Sequence, residues 1–293
     1  MFYGCRNYVI KLSKIIFKSP TRWIFITAFA FMPQFVFFAS YVNNISVMML
    51  GVAMTVYAWA LGINDGRNYK NCFLLSVGIS VCALSSYYSY GWILVSIFFV
   101  ILSYLYQNKK DYKGLLKLFT FTFLMILIFT GYSFIRHIVV YKDILGLKTA
   151  AYYNSMYALE ELLPQNNPSL SGQGLSLKYM LFDLKWIEKT FNSSVAVFGQ
   201  NDVYCSQIVY TLAKVFIAVG IIGFIVKIIQ AIIRRQKPEK MKMLFSLCLV
   251  LCTVITVILS ICRSYYARKL LLFRIPALNV AWWFGIFTHC KIV

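Results

Sequence analysis

The side chains best suited to chemistry in this chain are cations that gather where a membrane protein gains little from them. Arg263, Arg268, Lys269 and Arg274 fall together in the connection before the last apolar run, with no Asp or Glu nearby. The guanidinium fork matches phosphate oxygens, so such a cluster suits the phosphate of a lipid-linked sugar at a membrane surface. The competing reading makes the same side chains anchors that snorkel to lipid headgroups. Lys214, roughly two turns inside the apolar run that begins near Ile208, either joins the cluster or snorkels in the same way. Sugar transfer to a hydroxyl also needs a carboxylate to take the proton, and a divalent cation, where one assists, needs one or two more. Asp143, Glu160, Glu161, Asp183, Glu188 and Asp202 lie in the same part of the chain without diagnostic spacing. Glu160 and Glu161 are neighbours and point to different sides of a helix. Arg136, Asp143 and Asp202 form the candidate polar site of this region, and His137 beside Arg136 is a candidate contact for an anionic head group. No catalytic residue is assigned. No metal ligands are assigned either, because Cys248 and Cys252 are four apart without a His or a second pair.

These residues are positioned by elements that lipid must solvate. The chain has 293 residues, 60% hydrophobic and 13% charged, and its mean hydropathy is +0.71. A soluble domain has no such composition. The formal charge of +20 comes from Lys and Arg in short segments between apolar runs. That is the pattern of orientation signals, and no basic stripe accompanies a recognition motif, so nucleic acid is not a partner. A spanning helix takes about 20 apolar residues. About eight windows meet that length: Trp23 to Ser40, Ile45 to Ile63, Cys72 to Tyr87, Tyr90 to Tyr106, Leu115 to Phe134, Ile208 to Gln230, Met243 to Ile261 and Leu270 to Phe287. The fold class is therefore all-α, a polytopic membrane helix bundle of about eight spans in one domain. Cations in the N-terminal segment and in the Asp65–Lys70, Lys109–Lys117 and Arg234–Lys242 loops put both termini in the cytoplasm. The connection from about 135 to 207 is then a large outer loop. Within it, Ala150 to Leu163 and Ser176 to Phe191 have helical spacing, the second with Leu177, Met180, Leu181, Leu184, Ile187 and Phe191 on one face. Pro164 to Gly174 between them reads as a flexible turn or lid. There is no phosphate-binding glycine loop, no nucleophile elbow and no zinc-binding HExxH pattern.

Several stretches resemble, in chain order, a family of bacterial multi-pass proteins in the GT-C clan. That clan comprises glycosyltransferases that use lipid-phosphate-sugars and includes protein mannosyltransferases. Met32-Pro33-Gln34-Phe35 through Ser40 to Ser46 resembles an outward helix junction of that family, with Ile45 where an Asp is expected. Leu84-Ser85-Ser86-Tyr87, within Cys82 to Trp92, resembles the turn that follows. Tyr132 to Gly146, with Arg136 and Tyr141-Lys142-Asp143, resembles the start of the large outer loop. Thr190 to Gly199 resembles the element before the next span, and Tyr266 to Pro276 occupies the place of the arginine signature that meets the donor phosphate. There, Arg268-Lys269-Leu270 stands where Arg-Tyr-Leu is expected, and Arg274-Ile275-Pro276 is a second, shifted match. The resemblance departs at the front, because no acid precedes Asp65 and the family's first outer loop carries the catalytic carboxylate.

The resemblance implies a GT-C-like membrane glycosyltransferase, or the C-terminal part of one, in the bacterial plasma membrane. Its donor would be a polyprenyl-phosphate-linked sugar, transferred with inversion in cell-surface polysaccharide or glycolipid assembly. Arg263, Arg268, Lys269 and Arg274 would bind the donor phosphate. A partner subunit would supply the missing N-terminal module, a divalent cation is an optional helper, and no other cofactor is implied. From other classes, a noncatalytic subunit that binds lipid-linked glycan, or a polysaccharide flippase or polymerase, fits the same composition. A flippase should show internal symmetry or ionisable residues at mid-membrane, and neither stands out.

Overall fold

The computed structural model describes residues 2–17, 19, 21–40, 44–108, 111–157, 169–198, 203–233 and 240–266. The fold is all-α apart from one small clasp. In chain order the helices are α1 (Phe2–Ile16), α2 (Thr21–Ala30), α3 (Pro33–Ala39), α4 (Asn44–Asn64), α5 (Tyr69–Ser85), α6 (Tyr90–Gln107), α7 (Tyr112–Tyr141), α8 (Leu147–Tyr157), α9 (Trp186–Ala196), α10 (Gln207–Ile233) and α11 (Lys240–Tyr266). The clasp is an antiparallel pair, β1 (Val197–Phe198) with β2 (Val203–Tyr204), registered Val197 to Tyr204.

Among the described residues, four segments are long and apolar enough to cross a membrane: Asn44–Asn64, Tyr87–Gln107, Tyr112–Tyr141 and Lys240–Tyr266. Two further windows fall in shorter apolar helices, Tyr69–Ser85 and Gln207–Gly223. The window from Trp23 to Ser40 is broken. Pro33 has no N–H to continue the helical ladder and opens α3 at its first turn, with Met32 extended before it (φ −65°, ψ 119°). The window Leu270 to Phe287 lies outside the described residues.

Local signals set the other boundaries. The Asn68 side chain accepts from Asn71 N at 2.9 Å and caps α5, and Asp111 accepts from Gly114 N at 3.1 Å and caps α7. Helix α7 runs seven residues past the expected Phe134, to Tyr141, where Lys142 takes a left-handed conformation (φ 51°) and ends it. The core draws on α1 to α6 and α11, with an aromatic centre where α4, α6 and α11 meet. The Trp59 ring there stacks on Phe99 at 4.6 Å and lies 6.3 Å from both Trp92 and Phe245. Helix α1 was not foreseen. It packs along α4 through the buried Cys5, Val9, Leu12 and Ser13, with Cys5 Sγ donating to Met49 O at 3.8 Å and Tyr8 5.7 Å from Tyr57.

Candidate functional site

The bundle has two distinct ends. At one, Gln107 Nε2 donates to Ile63 O at 2.9 Å, Tyr104 donates to Asp111 at 3.1 Å, and Lys240 stands 5.8 Å over the Tyr106 ring. At the other, Asn44 Nδ2 donates to Ser85 O at 3.3 Å, the Tyr87 hydroxyl donates to Leu145 O, and α11 terminates. Arg263 belongs to this second end, opposite the basic loops. Its guanidinium lies 5.4 Å over the ring of Tyr88, in the 3₁₀ turn Tyr87–Ser89 that joins α5 to α6. The turn is fixed from within: Ser86 Oγ accepts from Tyr88 N at 3.4 Å, and Ser89 Oγ donates to Cys82 O at 2.6 Å. Arg263 is exposed, with the Tyr88 ring beneath its guanidinium. Of the predicted cationic cluster, Arg268, Lys269 and Arg274 lie outside the described residues.

The long connection comes back to the same place. Tyr265 donates from its hydroxyl to Leu175 O at 2.9 Å and accepts at its own carbonyl from Ser171 N at 3.3 Å. Ser169–Gly174 is thus a turn held on α11, within the stretch expected to be a flexible turn or lid; Pro164 to Pro168 of that stretch lies outside the described residues. The amphipathic helix expected over Ser176 to Phe191 is split by Lys185, whose φ of 51° turns the chain between the π-helical turn Tyr179–Asp183 and α9. Met180 and Trp186 are consequently buried against Leu170, Leu181, Ile261 and Tyr265, while Ile187 is exposed. At its far end α9 leads into β1, and Phe198 meets Phe37 of α3 at 5.1 Å. Helix α9 therefore crosses this end of the bundle from α11 to α3. Lys214 of α10 stands 5.8 Å over Phe191 on α9.

The other predicted residues are spread out. Arg136 is exposed on α7. Asp143 is a structural cap: its Oδ2 accepts from Lys148 N at 2.7 Å and Thr149 N at 3.2 Å at the start of α8. Desolvation raises the pKa of Asp143, but backbone donors from Thr149, Lys148, Leu145 and Gly146 outweigh it and hold the carboxyl below its usual range. His137 sets its ring edge-on to Tyr141 at 5.9 Å, and its carbonyl accepts from Asp143 N. Asp183 and Glu188 are exposed, and Glu160, Glu161 and Asp202 lie outside the described residues. Among the described residues no three His, Cys, Asp or Glu side chains stand together to hold a metal ion.

Charge reading overlooked a set of neutral polar groups at the same end. Gln34 of α3 is 0% exposed, and both its Oε1 and Nε2 lack a partner among the described residues. On α9 the same holds for Trp186 Nε1, Thr190 Oγ1 and Asn192 Oδ1. A Gln directly after Pro33 inside an apolar window is the one trace of this that the sequence carries. Comparison of the chain with protein-family models, curated proteins and solved structures finds no match.

Proposed function

We propose that this protein holds a polyprenyl-phosphate-linked sugar at the outer face of the bacterial plasma membrane, as a GT-C-like glycosyltransferase of cell-surface polysaccharide or glycolipid assembly. The observation that carries the reading is Arg263. It stands on Tyr88 at the end of the bundle away from the basic loops, beside the connection tied to α11. Cations on that side are costly unless an anion meets them. In this reading the chain crosses the membrane several times with residues 135–207 outside; Cys5 lies level with Met49, near the outer, Asn44 end of α4, so α1 starts on that side rather than in the cytoplasm. The resemblance assigns Arg268, Lys269 and Arg274 to the donor phosphate together with Arg263, and Lys214 flanks α9. The leaving phosphate gains charge as the sugar departs, and a guanidinium fork stabilises that charge.

A second reading, a noncatalytic subunit that binds lipid-linked glycan, is favoured by the acids. Asp143 is committed to capping α8, and Asp183 and Glu188 are exposed. Transfer of labelled sugar from lipid to acceptor by the purified chain separates the two.

The binding reading itself is tested by retention of radiolabelled undecaprenyl-phosphate-glucose on the full chain in a sugar-free detergent. Arg263→Ala should weaken retention about tenfold or more, the value of a charge-assisted hydrogen bond. Retention equal to that of the unaltered chain removes Arg263 from the site.

A further inference from the structure

The buried face of α9 is polar where packing alone calls for an apolar one. Trp186, Thr190, Ser193 and Ala196 recur at helical spacing and are all buried. Trp186 Nε1 and Thr190 Oγ1 on this face, and Asn192 Oδ1 at its edge, have no partner among the described residues. Helix α3 packs against α9 and contributes Gln34, with neither of its amide atoms partnered.

Thr190 stands apart from its own kind. Thr55, Thr122, Thr130, Thr211 and Thr256 each donate to the carbonyl four residues back, which satisfies a hydroxyl without leaving the helix. Thr190, 6% exposed, does not, and its hydroxyl is left for something outside α9. Buried polar atoms are nearly always hydrogen-bonded, and several unpaired ones on two facing elements need an explanation. Other unpaired atoms occur inside the bundle, such as Trp59 Nε1 and Ser246 Oγ. Among the described residues, this group gathers on α9 and on α3, which packs against it, at the end of the bundle where Arg263 lies.

The chemistry of the group is specific. It offers two amides, a hydroxyl and an indole N–H, all uncharged. Such groups bind vicinal hydroxyls by paired donors and acceptors and discriminate strongly against a ligand that lacks them. We infer that Gln34, Trp186, Thr190 and Asn192 form the saccharide subsite beneath α9, taking the neutral sugar ring of the ligand whose phosphate Arg263 meets. This assignment rests on the lipid-linked-sugar reading given above and adds to it the part of the site that recognises the sugar.

The test compares retention of undecaprenyl-phosphate-glucose with that of bare undecaprenyl phosphate on the full chain in sugar-free detergent, with methyl glucoside as a free-sugar competitor. The unaltered chain should prefer the glucosylated lipid, and Gln34→Leu and Thr190→Val should each reduce that preference about tenfold. Methyl glucoside in excess should abolish the preference if the subsite serves free sugar as well, and leave it intact if the ring must arrive on the lipid; either result supports the assignment. Melting provides the control. Removing an unpaired buried polar atom should leave the melting temperature unchanged or raise it by a few degrees. A steep fall for Gln34→Leu would show that the amide is already satisfied by the protein, which overturns the subsite. Equal retention of both lipids by the unaltered chain overturns the subsite and leaves the Arg263 reading standing. Retention of neither lipid overturns both.

Discussion

Arg67 enters the bundle through the space that Gly62 leaves. A Cβ on Gly62 would lie 2.4 Å from Arg67 Cζ, and the guanidinium, 8% exposed, uses that gap to reach Ala58 O and Ser103 Oγ, both at 3.4 Å, beside the Phe99 ring at 5.5 Å. Burial pulls its pKa down to about 10, so it stays charged at neutral pH. Gly62→Ala should expel the guanidinium and cost roughly 1–3 kcal/mol, read as a lower melting temperature in detergent. The loss should shrink in an Arg67→Ala background, and the same loss in both backgrounds would mean that the two residues do not share the space. The sequence placed Arg67 in a basic loop and stopped there. Charge patterning locates a cation along the chain but is blind to whether a nearby glycine admits it to the interior. Arg263 is singled out in the sequence because it departs from the alternation of basic loops, and the structure sets it on Tyr88 at the opposite end of the bundle from Asp111 and Lys240.

Helices α4 and α5 approach each other through glycines. A Cβ on Gly78 would meet Thr55 Oγ1 at 2.7 Å and Thr55 N at 3.0 Å, and one on Gly51 would meet Cys82 Sγ at 2.9 Å and Cys82 N at 3.0 Å. Backbone atoms cannot step aside as a flexible side chain can, and small residues at such contacts let membrane helices come close. Gly78→Ala should therefore melt at a lower temperature than Gly62→Ala, and the reverse order would show that α5 can slide without cost. Element existence was largely readable from apolar runs: α4, α6, α7 and α11 stand where the windows predicted them. What escaped was shape. Lys185 breaks a helix for reasons of backbone conformation that periodicity does not encode, and α1 was hidden because its cations drew the eye from Cys5, Val9 and Leu12 at helical spacing.

At the scale of the molecule, the sorting of side chains between two ends is the feature on which function turns. Gln173 and Asn108 are exposed at opposite ends of the bundle. In a cysteine-free background, Gln173→Cys should react with an impermeant maleimide on intact cells. Asn108→Cys should react only after permeabilisation, and the opposite pattern would turn Arg263 into an ordinary retention signal and end the sugar-phosphate reading. The order of the long apolar helices was legible, whereas α1, the break before Pro33 and the split at Lys185 were not. Of the four expected cations the structure describes Arg263, and unpaired neutral groups such as Gln34 and Thr190 announce themselves through burial, which no one-dimensional pattern reports.

The interruption before Pro33 gives the bundle a joint. With the ladder broken at Met32, the short rod that carries Gln34 is seated by Phe35 on Phe29 at 4.4 Å and by Ser46 on Phe38 O, while α2 holds through the Phe17–Phe25 contact at 5.0 Å. The outer rod and the tryptophan-lined interior thus rest on separate contacts.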